Sequence, residues 1–123
     1  MTKNNWQTHK FGGTSLADAS CFRRVARILH AESDTCQAVV VSAMAGMTDA
    51  LLDLVKASEQ SADAIQPGLA RLSERYRETV DELLSNTASS VAVFKAFEAE
   101  LNNAGDVLEA VALEQGVADQ NRD

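Results

Sequence analysis

The sequence predicts an α/β chain: one parallel βαβ unit followed by an antiparallel set of helices, with helix dominating by residue count. Three observations predict it. Trp6–Phe11 alternates loosely and runs into Gly12-Gly13, after which Phe22, Val25, Ala26 and Leu29 recur at helical spacing. Ala38–Val41 is a short, uncharged, β-branched run bounded by polar residues, the pattern of a strand buried on both faces of a parallel sheet. Beyond Ser58 the apolar residues fall every three or four positions with charges between them, as in amphipathic helices.

In chain order, Met1–Asn5 reads as a frayed tail and Trp6–Phe11 as a short strand ending in a tight turn. Thr14 or Ser15 caps the helix that follows, since Ser15-Leu16-Ala17-Asp18 has the capping-box pattern. Arg23, Arg24 and Arg27 fall mostly away from its apolar face, and the polar stretch Ala31–Gln37 ends it. With Ala38–Val41 this makes a βαβ unit of ordinary size, whose crossover is right-handed. Both strands then point the same way. The loop after Phe11 and the loop Ser42–Asp49 open at one sheet edge, where α/β folds bind ligands. The second loop feeds a helix with Leu51, Leu52 and Val55 on its apolar face.

The polar stretch Glu59–Gln66 and Pro67-Gly68 precede a helix carrying Leu69, Leu72, Tyr76, Val80, Leu83 and Leu84. Asn86–Ser90 breaks it, and a second helix carries Val91, Phe94, Phe97 and Leu101. Asn102-Asn103-Ala104-Gly105 reads as its stop, with Gly105 as C-cap. A third helix spans Asp106 to about Glu114, and Gly116–Asp123 trails off. Residues 1–58 are thus expected to form a βαβ segment with two active-site loops, and 59–123 a helical insertion, both within one larger domain.

Composition limits the function. The 123 residues carry a net charge of −7 with acids and bases interspersed, so no clustered basic surface marks a nucleic-acid binder. No apolar run approaches a membrane span, and no apolar signal core opens the chain. Cys21 and Cys36 read as free thiols of a reducing compartment; with His9 and His30 far apart there is no metal constellation. The expected setting is cytoplasmic.

Chemistry concentrates in His9-Lys10-Phe11-Gly12-Gly13-Thr14-Ser15. Glycines admit an anion close to backbone N–H groups, a helix start adds a favourable dipole, and lysine supplies a compact charge. Neither G-x-x-x-x-G-K-[ST] nor G-x-G-x-x-G is present. From spacing alone, two readings of Lys10, Gly12, Gly13, Thr14 and Ser15 stand: a phosphate cradle, or a strand ending in a turn. Ser42 and Thr48 read equally as helix-capping hydroxyls, and Ser42 has no histidine base near it in sequence.

Lys10–Ser15 resembles the signature that opens aspartokinases of the amino-acid kinase superfamily. Val40–Asp49 resembles the family's second block, V-V-S-A-x-[AS]-G-x-T-[ND], with Met44 and Met47 at its variable places. The resemblance is sharp over about residues 9–55. Beyond that, the helical stretch is similar to the insertion of lysine- or threonine-branch enzymes, including those fused to homoserine dehydrogenase.

The resemblance implies the N-terminal part of an amino-acid-kinase-like fold and phosphoryl transfer from ATP, with Mg²⁺ bound through the nucleotide, to the side-chain carboxylate of L-aspartate. It implies that Lys10 is catalytic and contacts the transferring phosphate, that Gly12, Gly13, Thr14 and Ser15 bind ATP phosphates, and that Ser42 and Thr48 hold aspartate. It also implies that the remainder of the kinase domain is a partner and that the full-length enzyme is a homo-oligomer. The family's later glycine-glutamate, aspartate, arginine and adenine-binding blocks do not occur in these residues, so the chain alone is expected to be inactive. The alternatives are a non-enzymatic helical interaction module and another amino-acid kinase of the superfamily.

Overall fold

The computed structural model describes residues 5–85 and 87–120. Residues 1–4 of the expected tail, Asn86 in the expected break and residues 121–123 lie outside the described residues. The elements run β1 (Trp6–Phe11), a 3-10 turn (Gly13–Leu16), α1 (Ala19–Ala31), β2 (Cys36–Val41), α2 (Met47–Gln60), a 3-10 turn (Ala62–Ala64), α3 (Ile65–Leu84) and α4 (Ala88–Gln120). The fold is therefore α/β and mostly helical, as the hydrophobic periodicity predicts. It divides into two compact units, Met1–Thr48 and Asp49–Asp123.

In the first unit β1 and β2 pair in parallel, from Trp6 opposite Cys36 to Phe11 opposite Val41. The predicted βαβ unit is present. Its core is Phe11, Leu16 and Val25, with Phe22 and Leu29 packed against them. The start of α1 differs from expectation. The chain first makes a tight turn in which the Ser15 N–H donates to the Gly12 carbonyl at 3.0 Å, and Asp18, not Thr14 or Ser15, caps the α-helix. The Asp18 carboxylate accepts from the Cys21 N–H at 2.9 Å, a standard N-cap bond. A hydroxyl at position 15 is too early to cap a helix whose first residue is Ala19.

Nor is β2 buried on both faces: Val39, Val40 and Val41 are 41%, 49% and 59% exposed. Burial on two faces needs sheet neighbours and cover on each side, and among the described residues β2 pairs with β1 alone.

In the second unit α3 and α4 lie antiparallel. Gln66 near one end of α3 donates to Glu109 at 3.0 Å. Midway the Tyr76 and Phe97 rings stack at 3.7 Å, and nearer the turn the Arg77 guanidinium sits 4.0 Å over the Phe94 ring. Each aromatic contact adds about 1 kcal/mol to the burial. Ser85 ends α3 in the left-handed region at φ 44°, and the Thr87 hydroxyl accepts from the Ser90 N–H at 3.2 Å to start α4.

Two expectations fail here. Leu51, Leu52 and Val55 are exposed, and α2 instead buries Leu54 and Ser58. A β-carbon on Gly68 of α3 would collide with the Leu54 side chain, so close approach at that glycine sets which face of α2 is covered.

Gly105, in turn, is not a stop. One helix of 33 residues runs through it to Gln120, replacing the expected third helix and the described part of the tail. A β-carbon on Gly105 would lie 2.8 Å from Leu69 Cδ1. The glycine lets α4 cross Leu69 closely, which outweighs its poor helix propensity.

Candidate functional site

The first loop hangs between two buried anchors. Phe11 at the end of β1 and Leu16 at the end of the 3-10 turn are 8% and 2% exposed, and their burial fixes the four residues between them. Alternation along β1 turns Gln7, His9 and Phe11 to the more covered face and leaves Thr8 and Lys10 exposed. Lys10 stands opposite Val40 in the sheet register. Thr14 and Ser15 are exposed, and the Thr14 carbonyl accepts from the Cys21 thiol at 3.7 Å.

The second loop is built alike. The Ser42 N–H donates to the Phe11 carbonyl at 3.0 Å, extending the strand pairing by one rung, and the Met47 N–H donates to the Met44 carbonyl at 3.0 Å. Met44 and Met47 are each 9% exposed, so these variable places of the motif anchor the loop. Between them Gly46 adopts φ 77°, a left-handed turn that glycine makes without strain. Ser42 and Thr48 flank the loop with their side chains exposed.

The two loops touch, as the topology predicts. A β-carbon on Gly13 would lie 3.4 Å from the Ala43 carbonyl oxygen and 3.7 Å from Ala45 Cα. The structure thus brings Gly13 against the backbone between Ser42 and Thr48. Among the described residues, the side chains of Lys10, Thr14, Ser15, Ser42 and Thr48 have no hydrogen-bond or ion-pair partner. A lysine and four hydroxyls left unpaired around two touching loops can take an anionic, oxygen-rich ligand.

The exposed Asp18 carboxylate lies at the loop's far side. The backbone N–H of Cys21, first among its partners, holds it below the usual carboxylate range. Among the described residues, Gln7 Oε1 and His9 Nε2 of β1 are buried without a partner. Among the described residues no three His, Cys, Asp or Glu cluster as metal ligands, and no helix is long and apolar enough to cross a membrane.

Sequence reading misses the Asp18 cap, the Met anchors and the Ala43–Ala45 seat. The spacing Asp18-x-x-Cys21 ahead of the apolar face could have located the cap. The other two depend on tertiary contact.

The model of the amino acid kinase family matches residues 5–121. The bifunctional aspartokinase/homoserine dehydrogenase 1, chloroplastic, of Arabidopsis thaliana is 30% identical over 108 residues, covering 88% of this chain and 12% of that protein. The bifunctional aspartokinase/homoserine dehydrogenase 2 of Escherichia coli (strain K12) is 43% identical over 68 residues, 53% of this chain and 8% of that protein. The chain therefore spans about a tenth of the length of these relatives. With a strand–glycine turn–helix and a second small-residue loop set side by side, and a family match along nearly all of its residues, the chain belongs to the amino acid kinase family.

Proposed function

We propose that this chain is the N-terminal segment of an aspartate kinase, which transfers a phosphoryl group from ATP to the L-aspartate side-chain carboxylate. The product is 4-phospho-L-aspartate, and the step opens lysine, threonine and methionine biosynthesis. One observation carries the reading: unpaired Lys10, Thr14 and Ser15 lie within three residues of Gly12, whose would-be β-carbon meets open space among the described residues, in a loop seated on a second one flanked by unpaired Ser42 and Thr48. The aspartokinase names of its relatives support the choice of substrate.

In this reading Lys10 meets the charge that develops on the transferring group, the Gly12–Ser15 backbone and hydroxyls orient the phosphates, and Ser42 and Thr48 hold aspartate. Such positioning and charge stabilisation make up most of what a phosphoryl-transfer site contributes. Mg²⁺, which would enter with the nucleotide, supplies neutralising charge. Residues 1–58 carry the loops and 59–123 the insertion. Cytoplasmic location, assembly with the remainder of a kinase domain and homo-oligomerisation belong to the same proposal.

Backbone NMR of the chain with ATP–Mg²⁺ tests it. Shifts at Gly12–Ser15 are expected. Their absence at millimolar nucleotide, together with concentration-dependent self-association, would favour a non-enzymatic interaction module, a reading that the exposed Val39–Val41 strand also suits. The chain alone is expected to form no aspartyl phosphate in a coupled assay, and any ATP-dependent product would contradict that.

A further inference from the structure

The two adjacent glycines of the first loop do different jobs. Glycine is usually required for one of two reasons, a left-handed backbone or a lack of space. Here the first reason is absent at both positions. Gly12 is extended at φ −79°, ψ 177°, a conformation open to any residue. Gly13 is not among the positive-φ glycines, of which Gly46 is the one described.

Space separates the pair. Among the described residues a β-carbon on Gly12 would meet nothing within 4 Å, whereas one on Gly13 would reach the Ala43 carbonyl oxygen at 3.4 Å and Ala45 Cα and N at 3.7 and 3.8 Å. Gly12 therefore borders open space, and Gly13 borders the backbone of the second loop. A methyl group just fills the gap at Gly13. A β-branched side chain adds two γ-carbons to a β-carbon already in contact with backbone, which has no flexible end to move aside.

We propose that Gly13 is a positioning residue that seats the Ser42–Thr48 loop on the Gly12–Ser15 loop, while Gly12 is the glycine that admits the ligand. The two loops then form one mechanical unit. Their strand ends are already joined by the Ser42 N–H to the Phe11 carbonyl, and the Gly13 seat adds a second point of contact. A ligand that orders the first loop thereby displaces the backbone of Ala43–Gly46, which it does not touch. This rests on the phosphate-binding reading for the ligand's identity, but the seat itself does not.

Backbone NMR on the whole chain separates the two, using Gly12→Val, Gly13→Ala and Gly13→Val. Without ligand, Gly13→Val is expected to shift the amides of Ala43–Gly46, and Gly13→Ala to leave them near the wild-type positions. Gly12→Val is expected to leave them unmoved, with β1–β2 and α1 resonances retained in all three. Equal shifts from Gly12→Val and Gly13→Val, or none from Gly13→Val, would overturn the division of roles.

With ATP–Mg²⁺ as probe, wild type and Gly13→Ala are expected to shift at both Gly12–Ser15 and Ala43–Gly46. Gly13→Val should lose the shifts at Ala43–Gly46, and Gly12→Val should weaken nucleotide binding at least tenfold. A silent wild type would overturn the kinase reading, while the ligand-free comparison still decides the seat. Wild-type shifts confined to Gly12–Ser15 would overturn the coupling.

Discussion

At residue scale the site depends on anchors as much as on the groups it presents. Leu16 is 2% exposed within the Phe11–Val25 cluster and holds the C-terminal end of the first loop. Leu16→Ala should cost about 2–5 kcal/mol of stability, read as a lower denaturant midpoint. It should also broaden the Gly12–Ser15 amides, which a loop independent of its anchor would not do. Asp18 gives a pH signature. Its carboxyl is held below its ordinary value in the folded chain by the Cys21 N–H. A depressed carboxylate contributes stability above the unfolded value and loses it as pH falls through the folded one. Hydrogen-exchange protection at the start of α1 should therefore fall below about pH 4. Asp18→Asn should keep the cap and abolish that dependence, whereas identical acid profiles for the two proteins would contradict the assignment.

At the scale of elements, two glycines within α4 predict opposite outcomes. Gly105 lies against Leu69, while Gly116 has nothing within 4 Å of its would-be β-carbon. Gly116→Ala should stabilise the chain by up to about 1 kcal/mol through helix propensity, and Gly105→Val should destabilise it by about 1–3 kcal/mol through overpacking. Thermal melts of the two variants moving in the same direction would refute the packing argument. The same glycine explains where sequence reading fails. Asn102-Asn103-Ala104-Gly105 carries a stop signal by composition, and only the passage of Leu69 across it reveals another reason for the glycine. The βαβ unit was legible because strand and helix periods differ and Gly12-Gly13 punctuates them. Which face α2 buries was not, since Leu54 against Gly68 outweighs the more apolar stripe of Leu51, Leu52 and Val55.

For the molecule as a whole, topology carries more of the site than any single motif. Two parallel strands place both glycine-bearing loops at one edge, so Lys10–Ser15 and Ser42–Thr48 were legible as neighbours before any contact was known. The contact itself, Gly13 on Ala43–Ala45, depends on how Phe11, Leu16, Met44 and Met47 bury, and local pattern does not report that. The valines exposed along β2 suit the proposed assembly with the remainder of a kinase domain. In the proposed reaction Lys10 serves phosphoryl transfer to aspartate. The most direct test is aspartate-dependent acyl phosphate, trapped with hydroxylamine, formed by a complete kinase domain carrying these residues, with and without Lys10→Ala. The variant is expected to fold and to lose at least about a hundredfold in kcat; a kcat within about threefold of the parent would remove Lys10 from the reaction.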